Sequence, residues 1–132
     1  MMAMDKKKLL VVDDEREFSE SLRLYLEMED FDVDVVNNPD KAIDLVKENQ
    51  YNLIISDILM PEMDGYQLRR ALRSIEATKK VPIIFLTAKE ADVESLKEIH
   101  DGATSFIMKP FEHTLLLEEI KHLIEHRVAQ EM

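Results

Sequence analysis

Four short apolar runs in this chain each stop at a polar side chain, and that arrangement leaves few folds open. Leu9-Leu10-Val11-Val12 runs into Asp13-Asp14, and Leu53-Ile54-Ile55 runs through Ser56 into Asp57. Ile83-Ile84-Phe85-Leu86 stops at Thr87, and Phe106-Ile107-Met108 stops at Lys109. The runs are continuous rather than alternating, as in strands buried on both faces. A strand that ends in an acid and breaks into a loop places that acid at the carboxyl edge of a sheet. In open α/β sheets that edge is where ligands bind. An acid pair, a single acid, a hydroxyl and an amine are thus expected to converge at one edge.

The stretches between the runs read as helices. Phe18, Leu22, Tyr25 and Leu26 recur at i, i+4, i+7, i+8. Asn38-Pro39 is a helix start, with Asn as cap and Pro at the first helical position. Ala42, Ile43 and Val46 mark the buried side of that second helix. Tyr66, Leu68, Leu72 and Ile75 mark a third, and Val93, Leu96 and Ile99 a fourth that ends near Gly102. Leu115 to Val128 forms a long amphipathic fifth helix. Phe31, Val33 and Val35 alternate with Asp32 and Asp34, the pattern of an edge strand with one solvated face. The fourth strand is expected over Val81 to Leu86, with Pro82 near its beginning, and the fifth over Ser105 to Met108. Five β-then-α units imply an α/β fold, a doubly wound five-stranded parallel sheet with helices on both faces. With the most polar strand at an edge, the order 2-1-3-4-5 fits. It sets strands one and three side by side at the switch point, where Asp13, Asp14 and Asp57 meet.

Composition closes off other classes. The 132 residues suffice for one domain with a proper core. A formal net charge of −11 argues against a broad non-specific nucleic-acid surface. There is no cysteine, so disulfide and thiol chemistry are excluded. No apolar run approaches membrane-spanning length, and Leu9 to Val12 is too short for a signal peptide. The expectation is a single cytoplasmic domain over 1–132, with its core over about 8–127 and residues 1–7 as a disordered or tag-like leader.

Three carboxylates in one place repel and raise one another's pKa unless something compensates. Oxygen-only ligands without His or Cys suit Mg²⁺. An Asp beside Mg²⁺ can attack phosphorus and form an aspartyl phosphate. Charge developing on the phosphoryl oxygens then calls for a cation and a hydroxyl donor, for which Lys109 and Thr87 are candidates.

Four stretches resemble the receiver domains of two-component response regulators, the CheY-like family. They are Val11-Val12-Asp13-Asp14-Glu15, Asp57 through Gly65 (Asp-Ile-Leu-Met-Pro-Glu-Met-Asp-Gly), Pro82 through Ala88, and Gly102 through Phe111. Together they cover almost the whole chain. The resemblance implies a flavodoxin/CheY-like fold and a signalling phospho-acceptor that phosphorylates and dephosphorylates itself. In this reading Asp57 accepts a phosphoryl group from a histidine kinase or phosphotransfer protein. Asp13, Asp14, Asp57 and the Leu59 backbone carbonyl hold Mg²⁺, Asp13 directly or through water. Thr87 bonds the phosphoryl group, Lys109 pairs with it, and the Lys109-Pro110 bond is cis. Leu59 and Lys89 flank the phosphoryl group and modulate attacking water. Thr87 and Phe106 form the switch, although many receivers carry Tyr where Phe106 stands, so switching here rests on ring burial. The face of the fourth helix, fifth strand and fifth helix then meets an output protein or domain, or a second copy.

Plainer readings stand beside this one. Asp14 alone could cap the first helix, with Glu17 completing a capping box. Phe106 could be a permanently buried core residue. A flavodoxin-like cofactor binder or a metal-dependent phosphohydrolase could use the same fold. With only Gly65 and Gly102 in the chain, no glycine-rich phosphate cradle can be drawn. A degenerate receiver acting as a scaffold is opposed by the intact acids, Thr87 and Lys109. His122-Leu123-Ile124-Glu125-His126 matches H-x-x-E-H, but Leu123 and Ile124 fit the apolar side of the last helix.

Overall fold

The structure, a computed structural model, describes residues 6–60, 63–87 and 104–131, the last five as helix backbone. Five strands are present: β1 (Lys8–Val12), β2 (Asp32–Val36), β3 (Leu53–Asp57), β4 (Ile83–Thr87) and β5 (Thr104–Met108). The helices are α1 (Arg16–Met28), α2 (Pro39–Glu48), α3 (Gly65–Arg73) and the C-terminal α4 (His113–Glu131). The helix expected around Val93 to Ile99 lies outside the described residues. All strand pairs are parallel, and the order is β2-β1-β3-β4-β5, as the pattern of apolar runs implied. Among the described residues no helix is long and apolar enough to cross a membrane.

Strand alternation divides the core into two layers. Leu9, Val11, Leu53, Ile55 and Leu86 face α1 and α4, where Leu22, Leu26, Leu116 and Ile120 are buried. Leu10, Val12, Ile54, Ile83 and Phe85 face α2 and α3, against Ala42, Val46, Leu68 and Leu72. Both faces of β1, β3 and β4 are therefore covered, which is why these runs are continuous in sequence. Asp32 and Asp34 belong to edge strand β2, which pairs only with β1.

Local chemistry sets the element ends, and several differ from expectation. Asn38 accepts a hydrogen bond from the Asp40 N–H at 2.7 Å with Pro39 at the first helical position, as its sequence implied. Helix α1 is different: Glu15 is its N-cap and makes no side-chain cap, so Asp14 and Glu17 do not form a capping box. Asp64 caps α3 through a capping box with Gln67. Strand β4 starts at Ile83 rather than Val81, because Pro82 has no N–H for a ladder, although its carbonyl accepts from Ile54 N at 2.9 Å. Strand β5 begins at Thr104, which pairs with Ile83, and α4 begins at His113, with Leu115 N donating to Glu112 O. Lys7, assigned to the leader, accepts the Asp32 N–H through its carbonyl at 3.0 Å.

Gly65 fixes the loop after β3. A Cβ there would lie 2.8 Å from the Phe85 ring and 3.0 Å from Ile58 Cα, while Gly65 N donates to Ile58 O at 2.7 Å. The glycine is required by close approach: only a hydrogen lets the loop fold back onto the strand that carries Asp57.

Candidate functional site

The site is built at the carboxyl ends of β1, β3 and β5. Residues 13, 57 and 109 follow the strand positions that face α1 and α4, so all three side chains leave the sheet on that side. Val12 pairs with Ser56, which sets β1 beside β3 at the edge, and Asp57 pairs with Leu86, which sets β3 beside β4. Asp13, Asp14 and Asp57 each bring one carboxylate oxygen within 4.8 Å of the others. Asp13 is buried, Asp57 is partly buried and Asp14 is exposed.

Asp13 is held from several sides. Its N–H donates to Val36 O at 3.1 Å, and its carbonyl accepts from Asn37 Nδ2 at 2.7 Å. Its Oδ1 accepts the Glu15 N–H at 2.8 Å, whereas Oδ2 is buried with no hydrogen-bond partner. Lys109 Nζ reaches in from the end of β5, 3.5 Å from Asp13 Oδ2 and 3.8 Å from Asp57 Oδ2. The Lys109-Pro110 bond is cis. Lys109 N donates to Thr87 O at 2.8 Å, which ties the β4 and β5 ends together beside the site. Thr87 is buried, and the exposed side chain of Leu59 flanks Asp57 two residues on.

Burial pushes both Asp13 and Asp57 above the usual carboxylate range. For Asp13 the Glu15 N–H and Lys109 oppose that shift, while Glu15 and Asp14 add repulsion. For Asp57 Lys109 and the Leu59 N–H oppose it, while Asp13 and Asp14 reinforce it. One ammonium does not offset two desolvated carboxylates with a third beside them. A small divalent cation would supply the missing positive charge, and Asp13 Oδ2, which takes part in no hydrogen bond, would offer it an acceptor. The all-oxygen donor set fits Mg²⁺.

The sequence brought together Asp13, Asp14, Asp57 and Lys109, and the structure sets them in one cluster. Phe106 sits on the other sheet face, with its ring stacked on Phe85 at 5.6 Å between centroids. It is partly buried, neither fully exposed nor sealed in the core. Lys89 lies outside the described residues. His122 and His126 share a face of α4 with their rings 6.2 Å apart, both exposed, while Leu123 and Ile124 are buried. Among the described residues the three aspartates are the only group of three such side chains with metal-ligand spacing. Asn37 and Phe18 escaped the sequence reading: Asn37 precedes the Asn38-Pro39 helix start, which drew the reading to Asn38, and Phe18 read only as the apolar side of α1.

The family profile of the response regulator receiver domain matches residues 9–121. The chain belongs to this family. The receiver is 38% identical over 116 residues to the probable transcriptional regulator ycf29 of Porphyra purpurea, covering 88% of this chain and 56% of that protein. It thus spans about half the length of the curated relatives it matches. Among solved structures it is similar to the receiver domain of a signal transduction histidine kinase from Syntrophus aciditrophicus, with 32% identity, 91% of each chain covered and a TM-score of 0.81. It is also similar to the receiver domain of the Pseudomonas aeruginosa sensor histidine kinase PA1611, with 26% identity, 92% and 99% covered and a TM-score of 0.76. That structure has a magnesium ion coordinated in its active-site cleft.

Proposed function

We propose that this receiver accepts a phosphoryl group on Asp57 from a histidine kinase or a phosphotransfer protein. The observation that carries the reading is the placement of Asp57 beside both Asp13 and Lys109, with the three carboxylates within reach of one cation. Asp57 is the acid of the cluster at the end of the central strand β3, partly open to an incoming donor. Its carboxylate oxygen attacks phosphorus, the phosphorus–nitrogen bond of the donor histidine breaks, and the imidazole keeps the electron pair. The product is an acyl phosphate. Lys109 balances the added negative charge, and the Thr87 hydroxyl donates to a phosphoryl oxygen. Asp13, Asp14, Asp57 and the Leu59 carbonyl would hold magnesium, which would supply the charge neutralisation that the ammonium alone does not. The cleft magnesium of the Pseudomonas relative supports this assignment.

The receiver also removes its own phosphoryl group by hydrolysis, slowly, because the exposed Leu59 side chain has no group to orient a water. Phosphorylation draws the Thr87 hydroxyl toward the phosphoryl group, and Phe106 follows into the space vacated. The altered surface is the edge of β5 with the Leu115 to Ile124 stretch of α4; Val93 to Ile99, the remainder of the expected face, lies outside the described residues. It meets an output protein or domain, or a second copy of the chain. The partial burial of Phe106 against Phe85 supports a ring with two positions. The phosphoryl group shifts that equilibrium only by its differential affinity for the two states. The working compartment in this reading is the cytoplasm.

The test is exposure to acetyl phosphate with Mg²⁺, read by intact mass. One phosphoryl group on the parent and none on Asp57→Ala is the expected result. Equal modification of both proteins overturns the assignment.

A further inference from the structure

Phe18 makes a contact at the site that its place on α1 does not demand. Lys109 Nζ lies 4.2 Å from the centroid of the Phe18 ring. The same nitrogen stands 3.5 Å and 3.8 Å from the Asp13 and Asp57 carboxylates, beyond hydrogen-bond length to either. The ammonium is thus suspended between two acids and a ring face, bonded to neither acid. The turn that carries it also grips the ring from a second side. Phe111, two residues after Lys109, meets Phe18 edge-on at 6.2 Å. Phe111 is in turn set edge-on to His113, whose ring lies tilted against Tyr25 of α1 at 4.5 Å. Phe18 thus links helix α1 to the β5–α4 turn that carries the amine.

We propose that Phe18 is a positioning residue for Lys109: its ring face holds the ammonium at the mouth of the acid cluster before a phosphoryl group arrives. The inference rests on the phosphoacceptor reading of the site. An aromatic face attracts an ammonium, and more strongly where water is excluded. Lys109 is about three-quarters shielded, with its side chain 23% exposed. With the ring in place the amine does not collapse onto either carboxylate and is already oriented toward the added charge. A leucine at position 18 fills much of the same core volume but offers no such face, so the lysine regains rotamer freedom.

The experiment is a double-mutant cycle on the full chain, with Phe18→Leu, Phe18→Tyr, Lys109→Ala and the Phe18→Leu/Lys109→Ala pair. The phosphorylation rate is followed against acetyl phosphate concentration with Mg²⁺, beside the ring-current shift of the Lys109 ε-methylene protons. Phe18→Leu is expected to slow phosphorylation about fivefold. Phe18→Tyr should stay within about twofold of the parent, since its ring face is kept. In the Lys109→Ala background Phe18→Leu should add nothing. The ε-methylene resonance should lie upfield in the parent and in Phe18→Tyr, and return to an ordinary lysine position in Phe18→Leu. Equal loss of rate with and without Lys109, or an unshifted ε-methylene in the folded parent, overturns the proposal. A parent that takes up no phosphoryl group overturns the reading of Asp57 instead, while the proton shifts still decide whether Phe18 holds the lysine.

Discussion

Lys109 Nζ lies 3.5 Å from Asp13 Oδ2, the buried carboxylate oxygen that no hydrogen bond satisfies. The two residues sit at the ends of β5 and β1, with β3 and β4 between them in the sheet. The contact spans the middle of the site and puts Lys109 on both sides of its balance, partner to Asp13 and to Asp57. Truncating it leaves a buried acid without its cation.

Lys109→Ala is therefore expected to cost about 1–3 kcal/mol of stability at neutral pH without Mg²⁺. The Asp13 pKa is already raised by burial, and losing the ammonium raises it further. A raised carboxylate contributes stability in its protonated form below the unfolded-state pKa, and that contribution is lost as pH rises through the folded value. The deficit of Lys109→Ala should accordingly be full at pH 7 and shrink as pH falls through the folded pKa of Asp13. Urea unfolding of both proteins across pH 4 to 7 checks this, about 4 being the ordinary carboxylate value. A deficit independent of pH contradicts it.

Millimolar Mg²⁺ should raise the melting temperature by mass action, since only the folded chain assembles the three aspartates. At a concentration ten times Kd the gain is about 1.4 kcal/mol, or a few degrees for a domain of this size. Asp57→Asn should bind Mg²⁺ more weakly and melt higher than the parent without it, because one repelled, desolvated carboxylate is gone. An unmoved melting curve at low salt counts against the metal site.

Gly65→Ala should destabilise by about 1–3 kcal/mol, as overpacking does when the obstacle is a buried ring and a backbone atom. The denaturant midpoint should fall at constant m-value, because one methyl group hardly changes the surface exposed on unfolding. Phosphorylation should slow with it, since the same loop follows Asp57. A variant as stable as the parent would show that Phe85 yields without cost.

Leu59→Asn should lose its phosphoryl group faster than the parent, because an amide can hydrogen-bond the attacking water and the leucine side chain cannot. Decay of the phosphorylated form, followed by intact mass after the donor is removed, measures it. Equal or slower decay contradicts the role of Leu59.

Much of this architecture was legible because it rests on chain-local patterns. Continuous apolar runs marked β1, β3 and β4 as central, and the Asp32 and Asp34 alternation marked β2 as an edge. The polar residue closing each run placed Asp13, Asp57, Thr87 and Lys109 at one sheet edge before any contact was known. What stayed hidden depends on residues far apart in sequence. Phe18 and Lys109 are joined only when α1 packs beside the end of β5. The close approach that requires Gly65 was not legible because its obstacle, Phe85, lies on another strand. Tyr51 donates to Asp34 Oδ2 at 2.6 Å, and Lys8 pairs with the same carboxylate at 3.6 Å, a tie among the start of β1, the middle of β2 and the segment before β3 that no local spacing announces.

The central claim is that Asp57 is the residue that carries the phosphoryl group, and locating the acyl phosphate tests it most directly. The receiver is treated with acetyl phosphate and Mg²⁺, trapped by borohydride reduction and mapped by peptide mass spectrometry. The account predicts a single reduced residue, homoserine at position 57, absent when Mg²⁺ is chelated. Reduction at Asp13 or Asp14 with Asp57 intact, or an unmodified chain under conditions where Mg²⁺ raises its melting temperature, would contradict it.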